Sequence, residues 1–118
     1  MISPTARTLS LLREREWPAD IVERWVPGKK IRKDLFGCFD IVALDTQPGV
    51  IGIQVTSDNG GNVSARTLKI KRSPLAIAWL AAGNRIVVHG WGKRGKAGTI
   101  KRWTLREVPV TLETLEAV

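Results

Sequence analysis

The chain has one cysteine and one histidine among its 118 residues, and that scarcity removes whole classes of site. Cys38 has no partner for an intrachain disulfide. One thiol and one imidazole cannot build the usual zinc cages or give a Cys–His dyad a choice of partners. A bound metal would therefore be held through oxygen. No apolar run approaches the about 18 residues that a membrane span needs. Met1 to Leu12 lacks the basic segment, long apolar run and small-residue cleavage site of a signal peptide. These absences predict a globular protein in a cytoplasmic setting, away from membranes, and the length and 43% apolar content suit one domain with a real core. Acidic residues are scarce too, 11 against 19 Lys plus Arg, for a net charge of +8 and a pI near 10.4.

An excess of cations points first to polyanions, because clustered Lys and Arg release counterions from phosphates. The cations are clustered. Lys29, Lys30, Arg32 and Lys33 form one group, Arg66, Lys69, Lys71 and Arg72 a second, and Lys93, Arg94, Lys96, Lys101 and Arg102 a third. Solvated loop tips are the competing explanation.

Ser3-Pro4 is a cap residue followed by proline at the first helical position, and Ala6, Leu9 and Leu12 recur three apart, which predicts a helix to Glu16. Trp17-Pro18 stops it. The β-branched and aromatic run Ile21–Val26 predicts a first strand, followed by a basic loop that ends in Asp34-Leu35-Phe36-Gly37. Phe39–Leu44 and Val50–Thr56 read as strands joined by the turn Asp45–Gly49, with apolar residues in both alternating sets, as in a hairpin covered on both faces. Asn62–Lys71 suits a basic helix and Leu75–Ala82 another. Arg85–Trp91 reads as a fourth strand, paired across the Gly/Lys loop 92–98 with a fifth, Thr99–Val110. Thr111–Val118 suits a frayed helical turn.

Polar residues interrupt the central hairpin at one end. If Leu44 pairs with Val50 across the turn, Asp40 falls opposite Gln54, and the two-residue period places Gln54 and Thr56 on one face. A carboxylate with amide and hydroxyl oxygens is a hard-oxygen environment that suits Mg²⁺ or Mn²⁺.

With these residues in place the chain resembles the PD-(D/E)XK nuclease superfamily, particularly its Holliday junction resolvase-like and VRR-NUC-like branches. Asp34-Leu35-Phe36-Gly37-Cys38-Phe39-Asp40-Ile41 is similar to the Gly-x-x-Asp approach to the second core strand. Ile53-Gln54-Val55-Thr56-Ser57 stands where the family has its acidic-x-lysine triplet. Arg66-Thr67-Leu68-Lys69-Ile70, Trp79-Leu80 and His89-Gly90-Trp91 are similar to the following helix and strand of small phage and bacterial members. The resemblance implies an α/β domain with a restriction-endonuclease-like αβββαβ core, a central mixed sheet flanked by helices. It implies a Mg²⁺-dependent DNA endonuclease, acting on branched or Holliday-junction DNA as a homodimer, with metal ligands Asp40, Gln54 and Asp34.

The sequence departs from the pattern at two positions. Gln54 replaces the acidic residue and brings no charge, so a second carboxylate is needed. Asp34, Glu14, Glu16 and Glu23 are the candidates, with Asp34 preferred for its place beside the motif. Thr56 replaces the lysine, and Lys69 from the following helix is the substitute. Each residue also has a plainer role: Asp40 as an ion-pair partner, Asp34 as a turn cap, Gln54 and Thr56 as a hydrogen-bonded strand-end pair, and Lys69 as a phosphate contact or surface lysine. His89 reads as a structural histidine in an apolar strand. The tryptophans 17, 25, 79, 91 and 103 read as core, with Trp91, beside the basic loop, as the one placed to stack on a base. The alternative to an enzyme is a nucleic-acid-binding protein that kept a nuclease-like fold and lost cleavage.

Overall fold

Ser3 caps the first helix, its hydroxyl accepting the Ala6 N–H at 3.1 Å, and Pro4 occupies the first turn, where a missing N–H is harmless. This helix, α1 (Pro4–Glu14), turns Leu12 into the interior. The computed structural model describes residues 2–116. After α1 come the short strands β1 (Ala19–Ile21), β2 (Arg24–Val26), β3 (Ile31–Lys33) and β4 (Ile41–Ala43), then the longer β5 (Ile51–Ser57). Two helices follow, α2 (Asn62–Lys71) and α3 (Pro74–Ala81), and the chain closes with β6 (Arg85–Arg94), β7 (Arg102–Val110) and the short α4 (Leu112–Glu116).

Five strands form one mixed sheet in the order β1-β4-β5-β6-β7, with β5 and β6 parallel and the other pairs antiparallel. The α2–α3 segment makes the crossover that a parallel pair requires. Strands β2 and β3 form a separate antiparallel ribbon. The long edge strand β7 carries Pro109, whose missing N–H an edge tolerates.

Helices cover both faces. Leu12 meets Ile41, Ala43, Ile51, Ile53, Val55 and Trp91 on one side. Val63, Ile70 and Ala76 of α2 and α3 meet Phe39, Ile86, Val88 and Val110 on the other. Two glycines permit the second contact. A Cβ on Gly52 would lie 2.7 Å from the Phe39 ring, and one on Gly90 would lie 2.3 Å from Val63.

Most expected elements are present, and the differences have local causes. The anticipated single strand Ile21–Val26 divides, because the N–H groups of Val22 and Glu23 both turn to the Asp40 carbonyl, at 2.9 and 3.3 Å, and lead the chain out of the sheet. Part of the anticipated basic loop is β3. The fourth strand continues to Arg94 and the fifth begins only at Arg102, so the loop between them is 95–101. The end of the anticipated C-terminal turn, 117–118, lies outside the described residues.

Candidate metal centre

The hairpin register pairs Ile41 with Ile53 and Ala43 with Ile51, so the next pair along is Asp40 with Gln54. Alternation then sends Asp40, Gln54 and Thr56 to the face covered by α2, while Ile51, Ile53 and Val55 face α1. All three polar residues are buried. Gln54 Nε2 and the Val55 N–H donate to the same oxygen of Asp40, Oδ2, at 2.9 and 2.8 Å. Gln54 Oε1 is buried and has no hydrogen-bond partner among the described residues. A buried carbonyl oxygen left unpaired is costly, so this atom marks a place suited to a ligand.

The ribbon brings the charge that Gln54 lacks. Its register pairs Arg24 with Lys33, which makes Glu23 and Asp34 the next opposed residues at its base. The carboxylate oxygens of Glu23, Asp34 and Asp40 lie within 4.8 Å of one another, and the cluster can hold a metal ion. Like charges this close resist joint ionisation. Burial first, and then the Asp34 and Glu23 carboxyls, push Asp40 up to about 8, against the Val55 N–H, which favours the ionised form. Two cations offset part of the repulsion: Lys69 Nζ stands 3.5 Å from Asp34 Oδ2, and Arg32 Nη1 stands 3.0 Å from Glu23 Oε1.

Thr56 opens onto a cleft of about 470 Å³ shared with Ser57, Asn62, Ala65, Arg66 and Lys69. Lys69 thus reaches both the cleft and the carboxylates from the helix after β5. Glu14 and Glu16 do not join the cluster, because they lie at the end of α1 and just past it, on the opposite face of the sheet. A larger cavity of about 620 Å³, lined by Trp17, Val87, His89, Glu107 and Pro109, is mostly apolar and lies apart from the cluster.

The three basic groups occupy three projections. Lys29, Lys30, Arg32 and Lys33 lie along the ribbon and its tip, while Arg66, Lys69, Lys71 and Arg72 lie on or just past α2. Lys93, Arg94, Lys96, Lys101 and Arg102 lie in the β6–β7 hairpin. Lys71 faces a different side of α2 from Lys69, beside Ser64, Thr67 and Arg106. Arg94 is held by Asp58, and Lys101 donates to the Gly95 carbonyl at 2.6 Å.

The tryptophans correct the expectation. Trp91 is buried and donates its indole N–H to Thr8 Oγ1 at 2.9 Å, so it is not available to stack on a base. Trp25 is 55% exposed and Trp103 38% exposed, the latter beneath the Arg7 guanidinium at 4.0 Å. His89 is fully buried between Thr8 and Glu107, in the structural role anticipated for it. Glu23 gave a weaker signal in the sequence than Asp34, since only the ribbon's register brings it opposite Asp34. No known protein family, characterised protein or solved structure matches this chain.

Proposed function

We propose that the protein is a metal-dependent DNA endonuclease that hydrolyses phosphodiester bonds, with Glu23, Asp34 and Asp40 as the acidic ligands of Mg²⁺ or Mn²⁺. The observation that carries this reading is the gathering of three carboxylates, one of which, Asp40, is hydrogen-bonded by the buried Gln54 amide. Hard oxygen donors and two or more carboxylates suit these ions. The order of elements supports it as well: α1, an antiparallel β1–β4–β5 meander, a helical crossover and a parallel β6 agree with a restriction-endonuclease-like αβββαβ core.

When bound, the ion supplies positive charge that polarises the scissile phosphate and acidifies a water. The chain's own residues do the rest. Gln54 keeps Asp40 oriented through Nε2. Thr56 positions the attacking water by its hydroxyl. Lys69, released from Asp34, meets negative charge developing on the phosphate, in place of the lysine absent from position 56. The ribbon, α2 and the β6–β7 hairpin hold the DNA backbone by phosphate contacts, which fix position without reading sequence. Branched DNA is the favoured substrate, and two cuts at a junction call for two copies of the chain as a homodimer.

A cleavage assay on branched, linear and single-stranded DNA, with Mg²⁺, Mn²⁺ or chelator, tests this reading. Asp40→Ala abolishes ion-dependent cleavage and leaves DNA affinity equal or slightly higher. Gln54→Glu tightens ion binding, measured by calorimetry. Cleavage that persists undiminished in Asp40→Ala protein overturns the site. Gln54 and Thr56, at the acidic and lysine positions, favour a second reading, a DNA-binding protein without cleavage. Salt-sensitive binding, with log K falling by about 0.9 per phosphate contact per log unit of salt, but no cleavage of any DNA form would establish that reading.

A further inference from the structure

The ribbon that delivers Glu23 and Asp34 continues beyond them. Opposed pairs on a two-stranded ribbon alternate faces, so Trp25 and Arg32 share a face with Glu23 and Asp34, one pleat period or roughly 6.6 Å further out. The hydrogen bond from Arg32 Nη1 to Glu23 Oε1 agrees with that shared face. Both strands of the ribbon are exposed at every position except the half-buried Val26. Core packing therefore gives no account of an indole at position 25. Around Trp25 the ribbon carries Arg24, Lys29, Lys30, Arg32 and Lys33.

We propose that the Trp25–Arg32 face of the ribbon is a stacking platform for one unpaired base of a DNA strand whose phosphate lies at the carboxylate cluster. The proposal rests on the nuclease reading and narrows its substrate class to DNA with an unpaired nucleotide beside the cut. An aromatic face accepts any base, because every base has a π-face, but only a base free of its duplex neighbours can offer one. A base inside duplex DNA has both faces covered. Arg32 on this face and Lys29 and Lys30 at the ribbon's tip complement the strand's phosphates, which favours a polyanion over an apolar protein surface as the occupant. Arg32 adds a planar guanidinium beside the indole, suited to the same base or to its phosphate.

The test is equilibrium binding by fluorescence anisotropy, in chelator so that no cleavage intervenes, with labelled forked DNA bearing single-stranded arms and with duplex of the same length. Trp25→Ala weakens binding to forked DNA by about tenfold and leaves duplex binding within about twofold, while Trp25→Phe retains most of the fork affinity. Indole fluorescence of the wild type falls on fork binding, and Trp25→Phe removes that component. An equal loss on both DNAs, or no loss on the fork, overturns the proposal. A change of molecular mass in Trp25→Ala protein by light scattering also overturns it, by making the face a contact with a second copy. Because the readout needs neither metal nor turnover, the platform can fail while the nuclease reading holds, and the reverse.

Discussion

The two faces of the central sheet each bury polar groups, and they treat them in opposite ways. On the α1 face, Trp91 Nε1 donates to Thr8 Oγ1, and the hydroxyl in turn donates to His89 Nδ1 at 3.1 Å. That leaves the His89 Nε2–H to donate to Glu107 Oε2 at 2.9 Å, while Arg15 holds both oxygens of Glu107. Each atom in this chain has a partner of complementary kind. Burial holds His89 below its ordinary value, and Arg15, first among the causes, holds Glu107 down. On the α2 face, like charges converge, Gln54 Oε1 has no partner among the described residues, and Asp40 is raised. A polar chain that closes on itself fastens α1 to the sheet. A set left unsatisfied is a cost that a ligand relieves, and active sites hold such costs at the expense of stability.

The contrast holds if substitutions on the α2 face lower activity while raising stability and those on the α1 face lower stability alone, and it breaks otherwise. The largest effect belongs to Asp40→Asn, which keeps an acceptor for Gln54 Nε2 and Val55 but removes the buried charge. Under the proposed nuclease reading, ion-dependent cleavage falls about a thousandfold, a loss of several kcal/mol at the transition state. The metal-free protein is stabilised at pH 8 by about 2 kcal/mol in urea unfolding. The sign follows from the raised Asp40: its stabilising contribution is complete below the unfolded value of 3.8 and is lost as pH rises toward about 8. The gain in Asp40→Asn is therefore larger at pH 8 than at pH 5, and equal gains at both would show that neither burial nor the neighbouring carboxyls raise it.

Next comes Thr8→Val, which leaves Trp91 Nε1–H and His89 Nδ1 both buried and unpaired. It costs about 3 kcal/mol of stability and leaves the cleavage rate per folded molecule unchanged. A variant of full stability that no longer cleaves would move this network from scaffold to chemistry. The acid limb of the pH profile sharpens the same point. With His89 lowered in the folded state, stability is complete above the unfolded value of 6.5 and is lost as pH falls from there through the lower folded value, and His89→Gln flattens that limb in thermal melts. The smallest effect is that of Glu107→Gln. Its ion pair with Arg15 is about a third exposed, so the loss is about 0.5 kcal/mol and is reduced further by salt.

Where geometry is local, the sequence specifies it. Five turn residues between two alternating strands leave little freedom of register, so pairing Leu44 with Val50 was enough to place Asp40 against Gln54 and to separate Thr56 from Val55. A distant group that redirects the chain leaves no such local mark. Nothing in Ile21–Val26 says that the Asp40 carbonyl will take two successive N–H groups and turn a strand out of the sheet. Without that departure neither the ribbon nor the pairing of Glu23 with Asp34 can be anticipated. The exposure of Trp25 has the same cause, since an indole in a β-branched run is ordinarily interior and only the detached ribbon leaves it exposed. Lys69 was legible as a candidate because one helix follows β5 directly, though its ion pair with Asp34 depends on the ribbon's position as well.

Strand β7 bears on how the protein behaves in a crowded solution. An unpaired edge of nine residues is a template on which another chain can add and start a growing aggregate. Here Arg102 and Arg106 bring like charge to any second β7 laid alongside, and Pro109 removes one of the donors that such an addition would use. The rest of the sheet's rim is β1, only three residues long. Neutralising the two arginines would therefore be felt less in the folding of a single molecule than in the concentration at which many molecules stay apart.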